Sequence, residues 1–415
     1  MEIYSEAVRC RLRSYRESAV TLSGGLDSGS VVVLASPEMK RKSRAIQAFS
    51  AVPKYAVTPY ITSGKIGDET PYIEATRRFV GNINVTYLDA AHVTPLSGAL
   101  RFLDLYGDPS INATNAHWII ALLEAAQAQG IGTLLTGQFD NATVSWNGDS
   151  AACLRGLMKA RKWRDCWLEL RALRASSGLW PAIRHGILRP WYSLAWIRRL
   201  RQFEGGRQPW RSYSPILPDF ALKLELGHRM KEAGSDPTFS GWTDSHAHRY
   251  AMLGPGRTKS GSRWFDLGAG FGIEVRDPTA DKRVLEFCLG FPESQFYRKG
   301  QTRWLVRRAF ANRLPAEVLN TSCRSLQSAD IGQPVAESRS EIAASLERIG
   351  SSPLVWEYLN LPYIQSIVDS VGRDAAQVPT TQVGTVLLRG LVVGVFLSQF
   401  ESKRSLDSGP DSCLF

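Results

Sequence analysis

Residues 22–30, Leu-Ser-Gly-Gly-Leu-Asp-Ser-Gly-Ser, crowd adjacent glycines, three hydroxyls and one carboxylate into a short stretch. Such a turn suits the pyrophosphate of ATP. Gly24 and Gly25 let the backbone approach phosphate oxygens, Ser23, Ser28 and Ser30 can donate to them, and the N–H groups at a helix start meet negative charge. Asp27 is a candidate ligand for a magnesium ion. The stretch lacks the Gly-Lys-Ser/Thr ending of NTPases that transfer the γ-phosphate, so the cut is expected between the α- and β-phosphates. A glycine turn also serves as a plain strand-to-helix connection, but a connection has no need of the hydroxyls and the carboxylate.

The elements that would position this turn follow from periodicity. Apolar runs at 18–22, 44–52, 82–89 and 132–136 read as strands, and amphipathic stretches at 28–36, 70–80, 94–105 and 115–129 read as helices. Their alternation predicts an α/β fold: a doubly wound parallel sheet of the nucleotide-binding type, with a helical insertion and a helical C-terminal part. Ligands of such sheets bind at the carboxyl ends of the strands. In this reading the Ser-Gly-Gly turn, Asp68-Glu69, Asp108-Pro109 and Thr136-Gly137 all fall there. The expected organisation is a nucleotide-binding core at 1–150, a basic Trp-rich helical insertion at 151–265, a helical part at 266–401 and a disordered tail at 402–415.

The 415-residue chain exceeds one typical core, and 44% hydrophobic and 21% charged residues describe an ordinary globular protein. No run approaches about 20 uninterrupted apolar residues and no signal-peptide pattern opens the chain, so no membrane span and a cytoplasmic location are expected. The six cysteines are scattered without Cys-x-x-Cys spacing, which argues against a zinc knuckle or a disulfide framework. His246 and His248 have no neighbouring Cys or His to complete a metal site. The net charge of +11 has a single source: residues 151–213 hold fourteen Arg and Lys against Asp165, Glu169 and Glu204. Trp163, Trp167, Trp180, Trp191, Trp196 and Trp210 interleave with them. The expected arrangement is an amphipathic helical layer in which the indoles pack and the Arg stems cover them. The alternative is a docking surface, for a precursor peptide or partner subunit ahead of nucleic acid.

Three strings occur in order: Leu22 to Ser30; Leu134-Leu135-Thr136-Gly137-Gln138-Phe139-Asp140-Asn141; and Gly272-Ile273-Glu274-Val275-Arg276-Asp277-Pro278, which runs on through Phe287. Together they resemble the synthetase domain of the asparagine synthetase family, which includes β-lactam synthetases and lasso-peptide macrolactam cyclases, over roughly residues 5–335. The resemblance implies ATP-dependent adenylation of a carboxylate, attack by ammonia or an amine, and release of AMP and pyrophosphate. It implies Asp27 on magnesium, Ser23, Gly24, Gly25 and Ser28 around pyrophosphate, Phe49 and Ser50 near the base, and Gly137 in the nucleotide site. Glu274 is expected either to bind substrate or accept the amine proton, or merely to pair with Arg276 or another helix-terminal cation.

The chain departs from the family where the usual string is Ser-Gly-Glu-Gly-x-Asp-Glu. The family's Glu aligns with Gln138, which cannot act as a base, and its second metal-binding Asp aligns with Asn141, a weaker ligand. Asp140, one residue earlier, is a candidate for the missing charge, and a slipped alignment is the other explanation. The family's pyrophosphate lysine falls at Arg324, with Lys259 and Lys299 as possible substitutes. Family members that use glutamine begin with an amidase domain and a terminal cysteine nucleophile. Here Glu2 is the second residue, so nitrogen is expected from free ammonia, a separate amidase chain or an amine already on the substrate. Three readings stay open: an asparagine-forming enzyme, a macrolactam cyclase acting on a precursor peptide, and a nucleotide-binding partner subunit without catalysis.

Overall fold

A computed structural model describes residues 1–61, 64–109, 112–178, 180, 209–235, 245–253 and 258–407. The first helix, α1 (Glu2–Arg11), leads into β1 (Glu17–Thr21), α2 (Leu26–Arg41) and β2 (Ile46–Ala51). After a two-residue strand, β3 (Lys65–Ile66), come α3 (Thr70–Val80), β4 (Ile83–Leu88), α4 (Pro95–Tyr106), α5 (Ala116–Ala128) and β5 (Ile131–Leu135). Two short strands lie much further along: β6 (Glu274–Arg276), and β7 (Arg324–Ser325), which pairs with β3.

The main sheet has the order β4-β2-β1-β5-β6, and every pairing in it is parallel. The chain winds outward from β1 to β4, returns to lay β5 on the other side of β1, and adds β6 after the insertion. The expected doubly wound fold is therefore present, with its switch point between β1 and β5.

Adjacent residues of the central strands feed opposite layers, as the period of two requires. Ala19, Phe49 and Leu134 pack with α4, α5 and the C-terminal helices, whereas Val20, Ala48 and Leu135 pack with α1, α2 and the helices Lys282–Leu289 and Trp304–Ala309. These strands are buried on both faces, which is why they read as apolar runs. The segment Thr380–Glu401 is long and apolar enough, by length and composition, to cross a membrane. Val383, Val386, Leu387, Leu388 and Leu391 within it are fully buried core residues.

In the basic segment, the helix Trp163–Ser177 corrects one expectation. Trp163 and Trp167 stand 64% and 67% exposed, and Trp180 is exposed too, whereas Trp210 is buried. Trp191 and Trp196 lie outside the described residues. The last helix, Arg389–Asp407, continues past the expected end near Glu401, and residues 408–415 are outside the described residues.

Candidate active site

A cavity of about 330 Å³ opens at the carboxyl ends of β1, β2 and β5, flanking the switch point. Thr21, Leu22, Ser23, Asp27 and Ser28 reach it from the first turn. Gly25 is the N-cap of α2 and no side chain caps the helix, so its first N–H groups are available to an anion. The Ser23 amide donates to Ser28 Oγ at 2.8 Å, and the two hydroxyls lie 2.9 Å apart. Two glycines are required by space. A Cβ on Gly24 would sit 2.7 Å from that of Tyr72, and one on Gly137 would sit 3.2 Å from the carbonyl carbon of Asp27. Ser30 turns inward: its hydroxyl bonds the Asp27 carbonyl at 2.7 Å and lies 2.8 Å from Tyr4 Oη.

The second wall is the loop after β5. Thr136 donates to the Arg276 carbonyl, and Phe139 donates to Asp277 Oδ2 at 2.9 Å. Asp277 also caps the turn Pro278–Ala280 through Thr279. Burial raises its pKa, against the bonds from Thr279, Phe139 and Gln138 that favour the charged form. The Asp277-Pro278 dipeptide thus works by holding this loop, which sets Gly137, Gln138 and Asn141 on the cavity. Asp140, between them, points the other way. It is fully buried, accepts from Ser30 Oγ at 3.2 Å and leaves Oδ1 without a partner. Its carboxyl is pushed well up by burial and by the charges of Asp27 and Asp277.

Several expected site residues are not brought to the cavity. Phe49 lines it, but Ser50 is buried and donates to the Leu22 carbonyl at 2.6 Å. Glu274 opens β6 opposite Thr133, the middle residue of β5 and short of the strand's carboxyl end, and its exposed carboxylate pairs with Arg276. A parallel strand carries its first residue away from the ligand edge, so the pairing alternative describes it. Arg324 is exposed on β7 beside Lys65, although Ser325 to Ser328 line the cavity. Lys259 is paired with Asp108 at 2.7 Å, and Lys299 is outside the lining. Asp108 itself follows α4 rather than a strand.

Glu69 lies at this edge, where the sequence pattern puts it with Asp68, and residues passed over in the sequence complete the walls. Glu69, at the start of α3, lines the cavity with its carboxyl raised by burial, opposed by bonds to Ser325 and to the Gly24 backbone. Lys54 contributes from the loop after β2, His117 and Trp118 from α5, and Trp264 and Glu337 from the C-terminal half. His117 is buried with Nδ1 unpartnered, and its pKa falls to about 4 through desolvation, so the imidazole is neutral. Arg303 reaches the cavity edge: Nη1 meets Asp27 Oδ1 at 3.2 Å and Nη2 meets Asn141 Oδ1 at 2.8 Å. Nothing in Thr302-Arg303-Trp304 sets it apart from Arg307 or Arg308 in the sequence.

These donors suit a polyphosphate better than a protein-held magnesium. Of Asp27, Asp140 and Asn141, only Asp27 brings a carboxylate to the lining, one of its oxygens and the Asn141 oxygen both face a guanidinium, and Asp140 is buried. Among the described residues no group of three or more His, Cys, Asp or Glu is placed to hold a metal.

Fold and cavity together define an α/β protein with its ligand edge at the switch point of a parallel sheet. The asparagine synthase family pattern matches residues 2–141 and 155–383, and the chain belongs to that family, whose members are ATP-dependent amide-forming synthetases. The amidase chry2 of Gibberella zeae (strain PH-1) is 32% identical over 138 residues, 32% of this chain and 20% of that protein. The chain therefore matches about a fifth of that relative's length.

Proposed function

We propose that this chain uses ATP to activate a carboxylate and joins it to ammonia or an amine. The carboxylate oxygen attacks the α-phosphorus, the bond to the bridging oxygen breaks and pyrophosphate leaves. The amine nitrogen then attacks the acyl carbon, the carbon–oxygen bond to AMP breaks, and the amine proton passes to a base. The observation that carries this reading is the Ser23–Ser28 turn, open to the cavity beside the uncapped start of α2. Magnesium enters this reading as the counter-ion of the polyphosphate, part of the substrate. Glu69 is the suitable base, because burial raises the proton affinity of its carboxylate and it lines the cavity. Glu274 and Arg324, outside the cavity, take no part in it.

The carboxylate is open between a small acid and a peptide. Trp163 and Trp167 are exposed one helical turn apart, with Arg164, Arg171 and Arg174 on the same helix, and this favours an acidic peptide as the docked partner. The test is exchange of labelled pyrophosphate into ATP, with aspartate and ammonium or with candidate peptides. Exchange with aspartate supports an asparagine-forming enzyme, and exchange with a peptide alone supports a cyclase or peptide amide ligase. No exchange with any carboxylate, while ATP still binds, would leave the non-catalytic subunit.

A further inference from the structure

The guanidinium between Asp27 and Asn141 is held from behind as firmly as from the front. Arg303 Nε donates to Asn147 Oδ1 at 2.8 Å, and its backbone N–H donates to the Asn147 carbonyl at 3.0 Å. The residue adopts φ of +56°, a left-handed conformation that a non-glycine residue keeps only when its surroundings impose it. One asparagine thus fixes both ends of the arginine, and the fork can point only at the pair in front of it. Burial opposes the charge on Asp27, and the Arg303 guanidinium favours it.

An arginine carries five N–H donors. Three are engaged, on Asn147, Asp27 and Asn141. Two remain, next to Asp27 in the first turn of α2. The oxygens of Asp27 and Asn141 are also those that a divalent ion bridging the two loops would need, and a fixed monocation with N–H donors now faces both.

We propose that Arg303 is the resident cation of the phosphate site. It stands where a protein-held divalent ion would bind, and it offers its two remaining N–H groups to the polyphosphate. The second half rests on the nucleotide reading above; the first half does not. Consequently the protein alone has no divalent site at Asp27, and any metal requirement belongs to the nucleotide it receives. Asn147 acts as a positioning residue through Arg303.

The test uses the full chain in two measurements. Titration of manganese alone, followed by electron paramagnetic resonance, is expected to show no binding to the wild type tighter than about 1 mM. The double variant Arg303→Met with Asn141→Asp frees two facing carboxylates, and it is expected to bind one ion at least about tenfold tighter. Manganese held by the wild type and lost in Asp27→Asn would overturn the proposal without requiring any arginine variant to fold.

Equilibrium dialysis of ATP then reads the second half, with magnesium and with EDTA. Arg303→Met is expected to weaken binding about tenfold or more in both, and Arg303→Lys to recover part of that loss. Circular dichroism melts show whether the variants remain folded. An affinity unchanged within about twofold in folded Arg303→Met would overturn the second half. Failure of the wild type to bind ATP would overturn that half together with the nucleotide reading, while the manganese titration still decides the first.

Discussion

The turn at Ser23–Ser28 and the strand Glu274–Arg276 both carry sequence strings that resemble family signatures, yet they meet the cavity differently. The turn leaves the carboxyl end of β1, so its hydroxyls and Asp27 face the crevice. Glu274 enters β6 at its amino end, and what reaches the crevice side is the Asp277 anchor of the loop after β5. A matching string therefore reports two kinds of role. Residues just past a strand's carboxyl end can touch a ligand, whereas those at its start can only support the frame.

The sharpest way to break this comparison is to neutralise one carboxylate from each region. Asp27→Asn is expected to lower pyrophosphate exchange about a hundredfold or more, the size seen when a pre-organised electrostatic group is lost. Glu274→Gln, losing an exposed ion pair, is expected to stay within about twofold. Equal losses in the two variants would mean that Glu274 reaches substrate in the working state. A smaller effect separates the loop glycine from the expected cation. Gly137→Ala presses a methyl onto the Asp27 backbone and is expected to raise the KM for ATP about tenfold, within the range of overpacking costs. Arg324→Ala is expected to leave that KM unchanged, and a rise matching that of Gly137→Ala would return Arg324 to the site. Asp277→Ala removes the acceptor for Phe139 and Thr279 and is expected to lower stability by about 1–2 kcal/mol in chemical denaturation, as loss of a cap does. Full stability with lost exchange would instead give Asp277 a direct chemical role.

The sheet was legible because β1, β2 and β5 are buried on both faces, the edge strand β4 keeps an apolar run, and all four are bounded by turns, so periodicity located each within a few residues. β6 escaped, since three residues on an edge strand make no periodic pattern. The phosphate turn was legible because adjacent glycines and hydroxyls have a local cause. The rest of the cavity was not, because its walls come together only in three dimensions. Lys54, His117 and Glu337 lie far apart along the chain, and the role of Arg303 depends on Asn147 and on a left-handed backbone that no residue type announces. Asp140 was misplaced for a similar reason: proximity in sequence to Asn141 does not say which way a carboxylate points, and its neighbour faces the cavity while it faces Ser30.

The smallest expected effect concerns two buried carboxylates outside the cavity lining, whose pKa values move in opposite directions. Hydrogen bonds from Arg283, then Arg11, hold Asp281 well below the usual carboxylate range. A depressed folded pKa stabilises the fold above the unfolded value of about 3.9, and that stability is lost as pH falls below it. Asp140 is the reverse. Its folded pKa is raised, so the native state binds the proton more tightly, and stability declines as pH climbs from about 3.9 toward the folded value. Thermal melts between about pH 3 and 7 separate the two. Asp281→Asn keeps an N-cap acceptor but removes the charge, so its deficit against the wild type is expected to shrink as pH falls below about 4. For Asp140→Asn the difference is expected to move in the variant's favour as pH rises above about 4. Slopes of the same sign in both variants would mean that Asp140 is ionised and paired in the native protein, and the metal role first expected for it would have to be reconsidered.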